Sequence, residues 1–550
     1  MADDANDTGS PDPHKDIARM IDAAEPIGVG PVDSDVADEA APIAPKAKRA
    51  RKPRSDKAGA AEGSKAEPKS KSEAKPRRKP QRDGVMALTA DCDLWHDADG
   101  EAFCTFDVKG HRENWPVRSD TFKRWLAARA YEKTGAVPGS QAVEDTLRVL
   151  EARATTDGRQ REPWLRVGAL HGFLYLDLCD PEWRVVEIGP NGWQLIQGHG
   201  LPFVRCRAMR ALCEPEAGYE ITELRRFVNV ATDEDFLLVV AWMVAALRET
   251  GPYPILVVNG EQGSGKSTFS KLVRSLVDPN AAPIRAVPKD PRDLLISAGN
   301  AHILCMDNLS RVEPWLSDGL CSIATGAGYA TRKLMSDRDE SVFMASRPII
   351  LNGIPTLTDR ADLASRAVTI QLSAIPDDER RPEDEFWADW ATVAPRVLGT
   401  LCDGLSSAVK RVGSVRLERA PRLADFVKWM TAAEPGLGWD AGTFVAAYSD
   451  NQREVTQTAF ESDPVAIEIC RMVEGAEHGW EGTAAELLAA LTDTAPESAK
   501  KLKSWPVTAQ GLGNRLARCG PLLRAKGYQV ERRHSGIRTI RISPITTRGT

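Results

Sequence analysis

The chain has no Cys-x-x-Cys pair. Its ten cysteines stand singly, at 92, 104, 179, 206, 213, 305, 321, 402, 470 and 519. That spacing builds neither a zinc ribbon nor a redox motif. Dispersed thiols suit a reducing, intracellular setting. The chain also lacks a long apolar run. The longest, Phe236 to Leu247, is too short to cross a bilayer and reads as a buried helix. The opening MADDANDTGS is acidic and polar, which is not how a signal peptide begins. A soluble, cytoplasmic protein with no membrane partner is expected.

What is present is length and uneven charge. With 550 residues and 42% hydrophobic content, several domains with real cores are possible. The net charge of −6 hides a division. Residues 1 to 45 are acidic, whereas 46 to 82 are strongly basic, from Lys46 and Lys48 to Arg77, Arg78, Lys79 and Arg82. Neither stretch has apolar periodicity, so residues 1–85 are expected to be a disordered tail. The basic part can neutralise nucleic-acid phosphates or simply be solvated.

From about 86 to 225 the pattern predicts an α+β module. Helices are expected over Thr121–Glu132 and Gln141–Ala154. Short strands follow over Trp164–Val167, Phe173–Leu178, Trp183–Ile188 and Gly192–Ile196. Its tryptophans could stack on bases, but large aromatics at such positions more often form core.

The stretch Pro254 to Val277 carries the chemistry. An apolar strand, Ile255 to Val258, leads into Gly260, Glu261, Gln262, Gly263, Ser264 and Gly265, then Lys266, Ser267, Thr268 and an amphipathic helix. This is G-x-x-x-x-G-K-[ST] in its strand–loop–helix setting. Glycines let successive backbone N–H groups turn inward towards phosphate oxygens, and the helix N-terminus adds a positive dipole end. Lys266 would reach the β- and γ-phosphates of ATP, and the Ser267 hydroxyl would ligate Mg²⁺. A helix from Asp233 to Arg248 precedes this strand.

Two further apolar strands follow. Ala301–Met306 ends in Asp307 and Asn308, and a carboxylate at a strand tip is what Mg²⁺ beside phosphates requires. Pro348–Leu351 ends in Asn352, which can hold the attacking water or the γ-phosphate, or can belong to an ordinary turn. Beyond it lie Arg360 and Arg366, near Asp359 and Asp362. Either arginine can stabilise transition-state charge in a neighbouring subunit, or form an intrachain pair.

Across Ala324 to Ile370 the succession Gly328, Arg332, Leu334, Phe343, Asn352, Pro355, Asp362 and Arg366 resembles superfamily 3 helicases. More closely, it is similar to the primase-helicase ATPases of phages, poxviruses and integrated elements. The resemblance covers about 150 residues well and runs loosely to about 450. It implies a P-loop, AAA+-like core forming a homo-oligomeric ring, usually a hexamer, with ATP between subunits and DNA in the channel. By the same resemblance Asn352 is the sensor and Arg366 the arginine finger, while Arg332, Lys333 and Arg338 face the channel. One position departs from the pattern. The second acidic residue expected after Asp307 is Asn308, whose amide can orient a water but cannot take its proton. Glu313 or Glu261 would then have to supply a carboxylate. No zinc module or primase carboxylate pattern is visible, so priming would fall to a separate primase or polymerase.

The expected organisation is a disordered tail (1–85), the α+β module (86–225), the P-loop ATPase (226–380), a helical lid or oligomerisation subdomain (381–460) and a winged helix (461–550). In the last, helices are expected over Pro464–Val473, Ala484–Leu491 with Thr483 as N-cap, and Thr508–Lys526. Two strands, Tyr528–Arg532 and Ile537–Ile542, would form the wing. Arg515, Arg518, Arg532 and Arg533 concentrate there and would contact DNA; a protein-binding module is the other reading. The function expected is an ATP-dependent DNA translocase or helicase replicating a phage or integrated element. The alternative is a DNA-binding switch or loader that hydrolyses ATP slowly.

Overall fold

The computed structural model describes residues 81–198, 200–309, 311–332, 340–343, 346–353, 361–418, 421–476, 478–502, 504–535 and 537–545. The acidic and basic stretches before residue 81 lie outside these. From Gln81 a helix, α1 (Gln81–Met86), is already formed, with Val85 buried.

The first region is built on strands β1 (Asp93–His96), β2 (Ala102–Val108) and β3 (His111–Pro116). They form an antiparallel meander that the periodicity had not suggested. Helices α2 (Asp120–Thr134) and α3 (Ser140–Thr156) cover it. Phe106, Phe122, Leu126, Leu147 and Leu150 form the core between them. A short β4 (Arg159–Gln160) pairs with β1 in parallel. Strands β5 (Val167–Leu170), β6 (Phe173–Asp177), β7 (Arg184–Gly189) and β8 (Gly192–Gln197) make the second meander. The predicted strand at Trp164 instead begins at Val167, and Trp164 makes only an isolated bridge to Phe203.

Helix α4 (Asp233–Ala246) is apolar almost all round, as a helix enclosed on every side must be. It packs against a parallel sheet of β9 (Ile255–Gly260), β10 (Leu304–Leu309), β13 (Ile349–Gly353) and β14 (Ala367–Leu372), in the order β10-β13-β9-β14. Arg285 adds a parallel bridge to Met306 beyond β10. Both faces are covered, which is why these strands read as continuous apolar runs. Leu256, Val258, Ile350 and Val368 face α4 and α5 (Lys266–Val277). Ile255, Val257, Leu304 and Ile349 face α6 (Pro291–Gly299) and α7 (Pro314–Thr325). A hairpin of β11 (Tyr329–Arg332) and β12 (Glu340–Phe343) precedes β13, and the four-residue α8 (Ala361–Ala364) precedes β14.

Three helices follow: α9 (Glu383–Arg411), α10 (Ala424–Ala433) and α11 (Thr443–Glu461). The last region runs α12 (Pro464–Val473), β15 (Trp480–Thr483), α13 (Ala484–Thr494), α14 (Glu497–Lys500), α15 (Ala509–Ala525), β16 (Tyr528–Ser535) and β17 (Ile537–Pro544). Its sheet order is β15-β17-β16. Thr483 caps α13 through a capping box with Glu486. Among the described residues no helix is long and apolar enough to cross a membrane.

A buried ionic network joins the first region to the sheet. Asp278, at the C-terminal end of α5, is fully buried. Its Oδ1 is 3.4 Å from Arg166 Nε, and its Oδ2 is 3.3 Å from Arg274 Nη2. Ile303 N donates to Oδ2 at 3.1 Å. Burial pushes this carboxyl up, but the two guanidiniums bring it below its ordinary value.

Candidate functional site

Strand β9 delivers the loop 260–265 to the C-terminal edge of the sheet, and α5 begins at Lys266. Gly263 (φ +84°) and Gly265 (φ +75°) adopt left-handed backbone that other residues resist. A Cβ on Gly260 would lie 2.4 Å from Ser264 Oγ. Lys266 Nζ donates to the carbonyls of Gly260 and Glu261, both at 2.7 Å. The ammonium is therefore curled over the mouth of the loop.

Asp307 is the meeting point. Ser267 Oγ donates to its Oδ2 at 2.8 Å, and Asn352 Nδ2 donates to its Oδ1 at 3.0 Å. Asn352 is fully buried, and its Oδ1 accepts from Ser270 Oγ at 2.6 Å. The tip of β13 and the start of α5 thus converge on the carboxylate at the tip of β10. Asn308 sits beside it, exposed, with φ +58° where the pairing of β10 with β13 shifts register. Left-handed backbone favours Gly, Asn and Asp, so the departure at this position also has a local structural reason.

A cleft of ≈ 930 Å³ opens here, lined by the loop, Lys266, Ser267, Thr268, Asp307, Asn308 and Asn352. Glu261 and Gln262 also line it; Glu313 does not, being paired with Arg311. A second cleft of ≈ 510 Å³ shares Gly263, Gly265 and Thr268 with the first. Phe227, Ile375, Phe386, Arg226 and Arg380 also line it. Asn229 ties the two together by donating to the carbonyls of Ser264 and Ser373, both at 2.8 Å. Asn229, Ser270 and Gln371, which also borders the first cleft, belong to no motif, and nothing in the sequence singled them out.

A hard cation fits the Ser267–Asp307 pair. Mg²⁺ is held by one or two carboxylate or hydroxyl oxygens together with substrate phosphates. Both residues line the cleft that the glycine-rich loop forms.

Arg366 is elsewhere. Its carbonyl accepts from Ile255 N at 2.9 Å, at the end of β9 opposite the loop. Five strand residues at about 3.3 Å each put it roughly 16 Å along the sheet. It does not line either cleft. Its Nη1 donates to Asp362 O at 2.9 Å. Burial, and then the neighbouring Arg366 charge, lower the pKa of Arg422 beside it.

The expected DNA contacts divide. Arg332 ends β11, whereas Lys333 and Arg338, like Arg360 and Pro355, lie outside the described residues. Arg515 Nη2 is 3.0 Å from Asp463 Oδ2, and Asp463 also caps α12. Arg532 donates to Gly513 O at 2.5 Å, and Arg533 to Glu531 Oε2 at 3.1 Å. Arg518 is exposed on α15.

No curated protein matches the sequence. Among solved structures, the apo A form of the NrS-1 C-terminal region is similar at 10% identity and TM-score 0.38, over 83% of this chain and 98% of that one. A structure described as SCCmec type IV Cch, active helicase, is similar at 14% identity and TM-score 0.41, over 82% and 92%. Likenesses this loose do not bear on function. Two family models do match. Residues 221–451 match the replication protein of actinomycete integrative conjugative elements, and residues 465–549 match the C-terminal domain of the same kind of protein. The two matches lie in chain order, one over the P-loop region and one over the C-terminal module.

Proposed function

We propose that the chain is an ATP-dependent DNA translocase, and a helicase, for replication of such an element. The observation that carries this is the convergence of Ser267, at the end of the P-loop, and Asn352 on Asp307. The cleft holds a nucleoside triphosphate. Loop amides and Lys266 take the phosphates, and the second cleft takes the base between Phe227 and Ile375. Bound there, Mg²⁺ would be held by Ser267 and Asp307 and would neutralise charge on the β- and γ-phosphates. Asn352 orients the γ-phosphate or the water.

A strand carrying a polar tip, β13, stands between the P-loop strand and the Asp307 strand. That order supports an AAA+-like core. Arg366 is too far to serve its own cleft, so it acts on the nucleotide of a neighbouring copy. A ring, a hexamer by the family resemblance, supplies that geometry. The helix–strand–helix–helix–helix order of the last region, closed by the β16–β17 hairpin, supports a winged helix that recruits DNA. Arg518 stands on its exposed face. Arg515 stabilises the module rather than contacting phosphate. Priming is left to another protein.

One observation favours a second reading. Asn308 borders the cleft where a second carboxylate would be expected, and an amide cannot accept the proton. The chain would then be a DNA-binding switch that loads on ATP and turns over slowly. Displacement of a strand from a forked duplex separates the two readings. The helicase reading expects ATP-dependent displacement that Lys266→Ala abolishes. ATP-dependent retention on DNA without displacement would replace it with the switch.

A further inference from the structure

β14 is the edge strand of the parallel sheet. It pairs with β9 through Ala367 to Leu372, and among the described residues its other side makes only an isolated bridge, Leu372 to Val230. The N–H and C=O groups on its other side need partners, because exposed strand edges recruit wrong ones. Side chains and one backbone group supply them. Asn451 Oδ1 accepts from Thr369 N at 3.2 Å, and Asn451 Nδ2 donates to Thr369 O at 2.5 Å. The next residue, Gln452, donates from Nε2 to Ala367 O at 2.7 Å. Asp235 Oδ2 takes Gln371 N at 3.4 Å, and Ala231 N donates to Gln371 O at 2.8 Å. Two consecutive amides of α11 thus stand in for a missing strand, on the residues immediately after Arg366.

The same helix belongs to a second structure. Val455 and Ala459 of α11 are buried in the core of the C-terminal module with Leu512, Leu516 and Ile542. Lys526, after α15, lies 4.8 Å over the Phe460 ring and donates to Gln457. Ala364, two residues before Arg366, is in that core as well. Arg366 is therefore held from before by the C-terminal module, from behind by β9, and from after by α11.

We propose that Asn451 and Gln452 are positioning residues for Arg366, and that α11 makes Arg366 and the C-terminal module one body. The proposal rests on the reading of Arg366 as an arginine acting in trans. It adds that DNA held by the C-terminal module is felt at the nucleotide of the neighbouring copy. The amides set the register of β14. A strand freed on its outer side can shift along β9, and a displacement of about 1 Å at a reacting group can cost about a hundredfold in rate.

The test uses the full chain carrying Asn451→Leu and Gln452→Leu together, beside Arg366→Ala and Lys266→Ala. The expected result is a loss of about tenfold or more in kcat for ATP, with KM for ATP unchanged and stimulation by a short duplex abolished. Mixing the double variant with Lys266→Ala subunits, whose Arg366 is intact, should restore part of the turnover, as it should for Arg366→Ala. Rescue of Arg366→Ala but not of the double variant would overturn the positioning role and leave the trans arginine standing. A loss expressed in KM alone would also overturn it, because it would place the damage at the P-loop. No rescue of either would remove the trans arginine and this proposal with it. Should the double variant not fold, Gln452→Met keeps the side-chain volume, removes one donor, and is read by the same mixing assay.

Discussion

Asn308 offers a test that separates backbone need from chemistry. Its φ of +58° and its place at a register shift in β10 explain why a small polar residue stands there. Alanine would cost about 1–2 kcal/mol in that conformation, whereas aspartate shares asparagine's tolerance of it. Asn308→Asp should therefore leave the melting temperature in place. It should also put a carboxylate on the wall of the cleft, next to Asp307. Two adjacent carboxylates raise one pKa, which brings a base closer to the pH at which it works. Proton acceptance by a positioned group contributes about 10²–10⁴-fold. An increase of about tenfold or more in kcat for ATP is expected, because the cleft was not shaped for that carboxylate. Steady-state phosphate release at saturating ATP, with melting curves alongside, measures both quantities. A folded Asn308→Asp protein with unchanged or lower kcat would refute the idea that this position limits hydrolysis. The Asn308→Ala control should melt lower.

Other expectations follow from buried charge. Asp278→Asn would leave Arg166 and Arg274 buried without their anion, and breaking such a network costs about 3–5 kcal/mol. Urea denaturation at neutral pH should show that loss, and a midpoint unchanged from wild type would contradict it. Burial pushes Asp235 up to about 6; the Glu454 and Glu234 carboxylates add to this, against the Gln371 N–H. A folded-state value above the unfolded one of 3.8 means the group favours folding below that pH, and the contribution is lost as pH rises through about 6. Asp235→Asn should therefore gain stability over wild type at pH 7.5 relative to pH 5, read as the difference in melting temperature. An equal difference at both pH values would contradict this.

The phosphate loop was legible because its chemistry is local. Glycines, Lys266 and Ser267 lie in one run, flanked by a strand and a helix whose periods differ. Asp307 and Asn352 were legible because each ends an apolar strand. Strand order was not, since all four core strands are apolar on both faces and carry no sign of their neighbours. The same limit hid Asn451 and Gln452, which look like polar residues on an ordinary helix until β14 is found beside them. It also hid the ion pair of Arg515. A basic residue on a helix gives no hint that Asp463, 52 positions away, is its partner. The β1–β3 meander was missed because Asp93 to Pro116 mixes charged and apolar residues without strict alternation.

The most direct measurement is ATP turnover by the full chain with and without single-stranded DNA, wild type against Lys266→Ala. The account predicts turnover that DNA stimulates and that the substitution lowers by about a hundredfold, as loss of a charge clamp on the phosphates implies. Equal turnover in the two proteins would contradict it.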